Sequence, residues 1–331
     1  MIKFFKKPIL FFSYLILTLN TSNGQEISKL DFEDIKYRNV GPTRGGRSTT
    51  VCGVINDQFT FYMGTTGGGL WKTTDAGLKW KNISDGYFKT PSIGSIDVYQ
   101  ADPNIIFVGT GSDGIRSNVI VGKGIYKSID AGVSWEFVGL KNTGQIGAVK
   151  INPNNHNVVY AAAIGQPFSP NSERGLFKTT DGGETWNKIL FISDKIGIVD
   201  IEFSPDNPDI IYAASWEVDR KPWTIVSGSK KGGIYKSVDA GKSWIKLSEG
   251  LPKGNIGKID LAVTPSDPHR LYALIEADQG QGGVYVSYNK GSQFKAMSHR
   301  KELVNRPFYY CNIYAHPNNA GIIYSNANKF M

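Results

Sequence analysis

The stretch "RGLFKTTDGGETWNKIL", residues 174–190, places Thr179, Asp181 and Glu184 in a glycine-rich turn between two short apolar segments. An acid beside a hydroxyl in a tight turn invites a catalytic reading. The turn recurs, however, as "TTDAGLKW" (73–80), "SIDAGVSW" (128–135), "TTDGGETW" (179–186) and "SVDAGKSW" (237–244), with a degraded copy "SYNKGSQF" at 287–294. The third positions are Asp75, Asp130, Asp181, Asp239 and Asn289, spaced by 55, 51, 58 and 50 residues. A period near 50 residues marks a repeat architecture, whose units share residues because they stack. One catalytic centre has no use for five copies of its acid.

The flanks repeat with the turn. A short strand precedes each box: "GLWKT", "GIYKS", "GLFKT", "GIYKS" and "GVYVS". Another follows, such as "WKNI" (80–83) or "WEFV". Upstream lie hairpins of alternating apolar residues around Pro, Asn and Asp, for example "IGSIDVYQADPNIIFVGT" and "IGAVKINPNNHNVVYAAA". Period-2 strands broken by turn residues predict four antiparallel strands per unit, which is one blade of a β-propeller. The expected fold is all-β, with blades at about 47–83, 93–138, 146–190, 197–247 and 256–297 and a partial sixth at 309–331.

The Ser/Thr-x-Asp-x-Gly-x-Ser/Thr-Trp pattern resembles the Asp-box, or bacterial neuraminidase repeat. Sialidases, xyloglucan-type glycoside hydrolases and the sortilin-type luminal propeller carry it. Over residues 37–331 the chain is most similar to secreted bacterial proteins with a sortilin-N-terminal-like propeller, often labelled glycosyl hydrolase. The resemblance implies that the boxes lie on the face opposite the ligand site. In each box the hydroxyl and the carboxylate close a turn through backbone hydrogen bonds, while the aromatic ring packs into the blade. Asp75, Asp130, Asp181 and Asp239, with Trp80, Trp135, Trp186 and Trp244, are therefore expected to be structural. The first box has Lys79 in place of Ser/Thr, and the fifth lacks both the Asp and the Trp, so those turns are expected to be held less tightly.

Residues 1–24, "MIKFFKKPILFFSYLILTLNTSNG", have the basic start, apolar run and small-residue end of a secretory signal peptide. Export to the periplasm, cell surface or medium is expected, with residues 25–36 as a lead-in and no membrane span after the signal is removed. Loss of Lys3, Lys6 and Lys7 lowers the formal charge from +8 to +5. The remaining charge is dispersed, which argues against a nucleic-acid partner. The four histidines show no metal-ligand spacing, and no cofactor motif is present. Only two cysteines, Cys52 and Cys311, exclude a disulfide scaffold; in a ring closed at six blades they are expected on adjacent inner strands, close enough for one bridge.

Strand alternation puts the second-to-third connections and the links between blades on the face opposite the boxes. These connections vary in length: "SDGIRSNVIVG" (112–122), "GQPFSPNSER" (165–174) and "WEVDRKPWTIVSGSKK" (216–231). Variable loops on a rigid ring are where binding is expected. Candidate catalytic carboxylates are Asp113, Glu173, Glu217, Asp219 and Glu276, with Asp278 nearby. Candidate ligand-binding residues are Arg47, Arg116, Trp216, Arg220, Trp223, Arg306 and Tyr309, with Arg44, Phe168, Arg174 and Tyr310 on the same rim.

The expected function is an exported propeller binding a protein or glycan ligand on this rim. The alternative is a glycoside hydrolase acting on a polysaccharide or oligosaccharide through two rim carboxylates, about 5–5.5 Å apart for retention or about 6.5–9.5 Å for inversion. A third reading makes the ring the interaction domain of a larger exported protein. The segment "YRNV" (37–40) resembles the last strand of a blade and is expected to clasp the final one. Because the sixth blade lacks its third strand and box, further blades or domains are expected beyond Met331.

Overall fold

The computed structural model describes residues 46–327 and 329–331. The signal segment, the lead-in, the "YRNV" clasp and Arg44 lie outside the described residues. Blade one comprises β1 (Ser48–Val54), β2 (Asp57–Thr65), β3 (Leu70–Thr73) and β4 (Lys81–Asn82). Blade two comprises β5 (Ile93–Val98), β6 (Ile106–Thr110), β7 (Ile125–Ser128) and β8 (Glu136–Phe137). Blade three has β9 (Gln145–Asn152), β10 (Asn155–Gly165), β11 (Gly175–Thr179) and β12 (Asn187–Leu190). Blade four has β13 (Ile196–Ser204), β14 (Asn207–Arg220), β15 (Ile225–Ser227), β16 (Gly233–Ser237) and β17 (Ile245–Leu247). Blade five has β18 (Ile256–Val263), β19 (Leu271–Ala277), β20 (Gly283–Ser287) and β21 (Lys295–Ser298), followed by a 3-10 turn at Lys301–Val304. A last hairpin pairs β22 (Asn312–Ala315) with β23 (Ile323–Asn326).

Each of the five sheets is antiparallel with its strands in chain order, and β15 is an addition at the edge of β14. After β23 the chain turns back, and Ser325 and Met331 exchange two backbone hydrogen bonds. The innermost strands β1, β5, β9, β13, β18 and β22 line an axial cavity of about 250 Å³.

A four-stranded sheet is too thin to enclose a core of its own, so the cores form between successive blades. Tyr62 and Leu70 of blade one pack with Ile96, Val108 and Trp135 of blade two. The next core joins Phe107 to Val149 and Phe177 with Trp186 at its edge, and the one after joins Tyr160 to Ile211 with Trp244. Phe294 serves in the box of blade five. The box aromatics therefore fill seams between blades rather than the interior of one blade. Trp80 belongs to none of these cores. On blade one, Val51, Phe59 and Phe61 occupy the face away from blade two and are exposed, as are Tyr314 and Tyr324 on the last hairpin. Among the described residues no sheet covers either face.

The boxes share one hydrogen-bond plan. Thr73, Ser128, Thr179, Ser237 and Ser287 each donate a hydroxyl to the Oδ1 of the box acid or Asn289, at 2.6–2.8 Å. The same hydroxyl accepts the amide of the box glycine, and Oδ1 accepts the amide four residues on. In the second, third and fourth boxes Ser134, Thr185 and Ser243 add a bond to Oδ2. The first and fifth boxes have Lys79 and Gln293 there and show no such bond.

The residue before the box glycine adopts left-handed backbone even where it carries a side chain, with φ of 57° at Ala76 and Ala131 and 58° at Ala240. That conformation costs roughly 1–2 kcal/mol for an L-residue, and two contacts explain it. The amide of Ala131 reaches the carbonyl of Asn104 in its own blade's first turn. Its carbonyl accepts Lys72 Nζ from the preceding blade at 2.8 Å. Lys127, Lys178 and Lys236 repeat this reach to Gly182, Ala240 and Lys290. Lys178 also lies over Tyr160 with its ammonium 5.2 Å from the ring centroid. Each box is thus a bolt between blades as well as within one. Lys178→Met keeps the apolar stem but removes the donor, and is expected to cost about 1 kcal/mol in a denaturant titration. No loss would remove the latch from the account.

Candidate functional site

The variable-loop rim gathers its residues in two places. The first is the mouth of the axial cavity. Asp113, from the connection between β6 and β7, crosses to blade five and pairs with Lys258 Nζ on β18 at 2.5 Å. The Lys258 side chain is 1% exposed. The backbone amide of Lys258 donates to Glu276 Oε2 at 2.8 Å, so Asp113 and Glu276 contact the two ends of one lysine. Glu276 also accepts Ser227 Oγ at 2.6 Å, and Ser227 in turn accepts the indole N–H of Trp216. Burial raises the Glu276 pKa, against the pull of these hydrogen bonds.

Arg116, on the same connection as Asp113, lies over the ring of Tyr309 at 4.4 Å. Arg47, at the start of blade one, donates to the Tyr309 hydroxyl at 3.0 Å. Tyr310 lies tilted against Tyr309 at 3.9 Å. A cleft of about 340 Å³ between β1 and β22 is walled by Arg47, Asp113, Tyr309 and Tyr310. Arg306 is exposed in a left-handed turn whose carbonyl accepts the amides of both tyrosines.

The second place lies between blades three and four. Glu217 and Asp219 are on β14 and border a small cavity with Arg174 and Lys195. Asp219 pairs with Lys221 at 3.0 Å. Glu173 stays in the adjoining loop, Arg220 docks its amide on the Pro167 carbonyl, and Trp223 stands 82% exposed at the hairpin tip.

Several sequence expectations need correction. Trp216 is 0% exposed and packs in the core between blades four and five, so it offers no ligand surface. The segment 216–231 is not an irregular loop at its start, because β14 continues through Arg220 and pairs with β15. Arg174 is buried and staples its loop by donating to the carbonyls of Lys195, Gln166 and Val218. Cys52 and Cys311 are both free thiols, and burial pushes Cys52 up to about 12.

The sequence reading overlooked the charged residues of the inner strands. Asp97, Asp200 and Asp260 each accept a backbone amide from the next blade, those of Ile151, Leu261 and Ile313, at 2.6–2.8 Å. Lys150 bridges instead to Glu202 at 3.0 Å. The available signal was a charge or a pair of charges inside the otherwise apolar first strands of blades two to five: Asp97, Lys150, Asp200 with Glu202, and Lys258 with Asp260.

These carboxylates predict an unusual pH dependence. Burial raises Asp97 from 3.8 to about 6, and raises Asp200 and Asp260 in the same direction. A raised acid holds its proton in the fold, so the stability it gives is full below the unfolded pKa and is lost as pH rises through the folded one. The box acids shift the other way: hydrogen bonds led by the Ser134 and Ser243 hydroxyls lower Asp130 and Asp239 to about 2. Their contribution is present above 3.8 and lost as pH falls towards 2. The thermal midpoint is therefore expected to rise as pH falls from 6 towards 4, and to drop below that. A midpoint that climbs steadily from pH 4 to 6 would contradict the assignment.

The comparisons with known proteins agree with this fold. A Sortilin-Vps10 family model, described as sortilin, neurotensin receptor 3, matches residues 123–250. A xyloglucanase from Paenibacillus sp is 24% identical over 287 residues, covering 78% of this chain and 25% of that protein. A probable oligoxyloglucan-reducing end-specific xyloglucanase from Neosartorya fischeri is 24% identical over 278 residues, covering 76% and 30%. Among solved structures, a GH74 enzyme from Niastella koreensis superposes with a TM-score of 0.62 at 18% identity, covering 86% of this chain and 44% of that one. The GH74 xyloglucanase of Xanthomonas campestris gives 0.54 at 14% identity, covering 86% and 51%. The chain spans about a quarter to a third of the length of the curated xyloglucanases it matches. Among the described residues no helix is long and apolar enough to cross a membrane. By fold and by similarity, the chain is a β-propeller of four-stranded blades resembling the sortilin-type and xyloglucanase propellers.

Proposed function

We propose that this propeller is the glycan-engaging ring of an exported protein, and that it holds a neutral β-glucan chain of the xyloglucan type across the mouth of its axial cavity. The observation that carries the reading is the convergence at that mouth of Arg47, Arg116, Tyr309 and Asp113 from blades one and two and the approach to the last hairpin. Planar donors, a carboxylate and tyrosine rings at one cleft suit sugar hydroxyls and sugar faces, and the similarity to xyloglucanases points the same way. Export rests on the basic and apolar pattern of residues 1–24.

Glycoside hydrolysis is the second reading, favoured by two carboxylates, Asp113 and Glu276, that both contact Lys258. Affinity electrophoresis in xyloglucan, a cellulose-type β-glucan and a uronic-acid polymer, run beside a reducing-end assay, separates the two. Retardation in xyloglucan without new reducing ends, relieved by Arg116→Ala, supports the binding ring. Reducing ends that disappear in Glu276→Gln, in a variant that still folds, would transfer the conclusion to hydrolysis. No retardation in any of the three polymers would remove the glycan reading.

A further inference from the structure

We propose a second glycan subsite, between blades three and four, which takes one pyranose unit of a chain whose neighbouring unit stacks on Trp223. The inference rests on the glycan reading above but not on the mouth as its location.

In blade four, pairing of β14 with β16 ends at Ser215, yet β14 runs five residues further and folds back through β15. The hairpin so formed docks on the loop 165–174 through Arg220 N and Pro167 O, at 2.6 Å. Between them lies a cavity of about 170 Å³ bordered by Arg174, Lys195, Glu217 and Asp219. A cavity of about 150 Å³ holds a benzene ring, which sets the scale at a single six-membered ring with its substituents reaching the open side.

The polar groups are unevenly satisfied. Arg174 is 1% exposed and four carbonyls, those of Lys195, Gln166, Ser169 and Val218, fix its terminal nitrogens, while its Nε–H has no protein acceptor. Asp219 Oδ1 is likewise buried without a donor. An unpaired donor beside an unpaired acceptor is costly unless something bridges them. Two cations and two carboxylates around the cavity cancel, which favours a neutral polyhydroxyl group over an ion. A sugar ring supplies hydroxyls that both accept and donate.

Trp223 supplies the apolar half of the recognition. It is 82% exposed at the hairpin tip, three residues from Val226 on the cavity wall. Trp223 is outside the cavity lining, so a ligand touching both spans more than one sugar ring. An indole left in water at the tip has no packing role in the fold.

The test is calorimetric titration of the protein with cellotetraose and with xyloglucan heptasaccharide, for the wild type, Trp223→Ala, Asp219→Asn and Arg116→Ala. The expected result is binding that Arg116→Ala weakens without abolishing, and that weakens at least tenfold in both Trp223→Ala and Asp219→Asn. Wild-type affinity in the last two, with binding lost in Arg116→Ala, overturns the second subsite and leaves the mouth reading standing. Binding lost only in Trp223→Ala and Asp219→Asn sustains the subsite and removes the mouth. No heat with either sugar in the wild type overturns this subsite: the cavity then holds water only.

Discussion

Gly147→Ala is expected to prevent the ring from assembling. The glycine follows Ile146 on β9, in the "IG" step that also places Gly94, Gly197 and Gly257 on inner strands. A methyl group at 147 would run into the backbone carbonyl of Val199 on the inner strand of blade four. Backbone cannot step aside as a flexible side chain can. The cost falls at or beyond the upper end of overpacking, about 3 kcal/mol, and should exceed that of Gly257→Ala, whose methyl meets the Glu276 side chain first. Soluble yield and the urea midpoint of the two variants give the comparison. Equal stability of both with the wild type would mean that the inner strands are not packed as closely as described.

Asp113→Asn is expected to destabilise the protein by about 3 kcal/mol. Lys258 is buried, and loss of the carboxylate leaves its ammonium uncompensated. The estimate sits at the lower end because the Asp113 side chain keeps 19% exposure. Replacing both partners, by Asp113→Leu with Lys258→Met, is expected to recover most of the loss, since an apolar pair needs no compensation. Denaturant midpoints of the single and double variants test this. A double variant no better than Asp113→Asn would contradict the ion-pair account. The prediction also bears on activity: hydrolysis lost in Asp113→Asn would report a catalytic acid only if the midpoint were unchanged.

Much of the fold was legible because each unit states it again. Period-2 strands, the box and the glycine-bearing turns occur in register four times, so the fifth, weaker copy could be placed by analogy. The box residues were readable as structure for the same reason. What the repeat could not show was which loops converge. Asp113 and Lys258 are 145 residues apart, and Arg47 and Tyr309 are 262 apart, so no spacing links them. The fate of Trp216 was readable in principle. Ala214, Trp216 and Val218 alternate with Ser215, Glu217 and Asp219, which is a strand continuing beyond its blade-mates rather than a loop. The partners of the inner-strand acids were not legible because Asp97, Asp200 and Asp260 reach backbone amides of the next blade, 53 to 61 residues away, although a charge in an apolar strand needs a partner.

The two halves of the account, repeated acids that hold the fold and rim residues that hold the ligand, meet in one measurement. Xyloglucan heptasaccharide affinity is determined for Arg116→Ala and Asp181→Asn side by side, each with its unfolding midpoint. The account predicts that Asp181→Asn lowers the midpoint and leaves affinity unchanged, while Arg116→Ala weakens affinity and leaves the midpoint in place. Loss of affinity in a fully stable Asp181→Asn protein would contradict it, and would make the repeated turn the site after all.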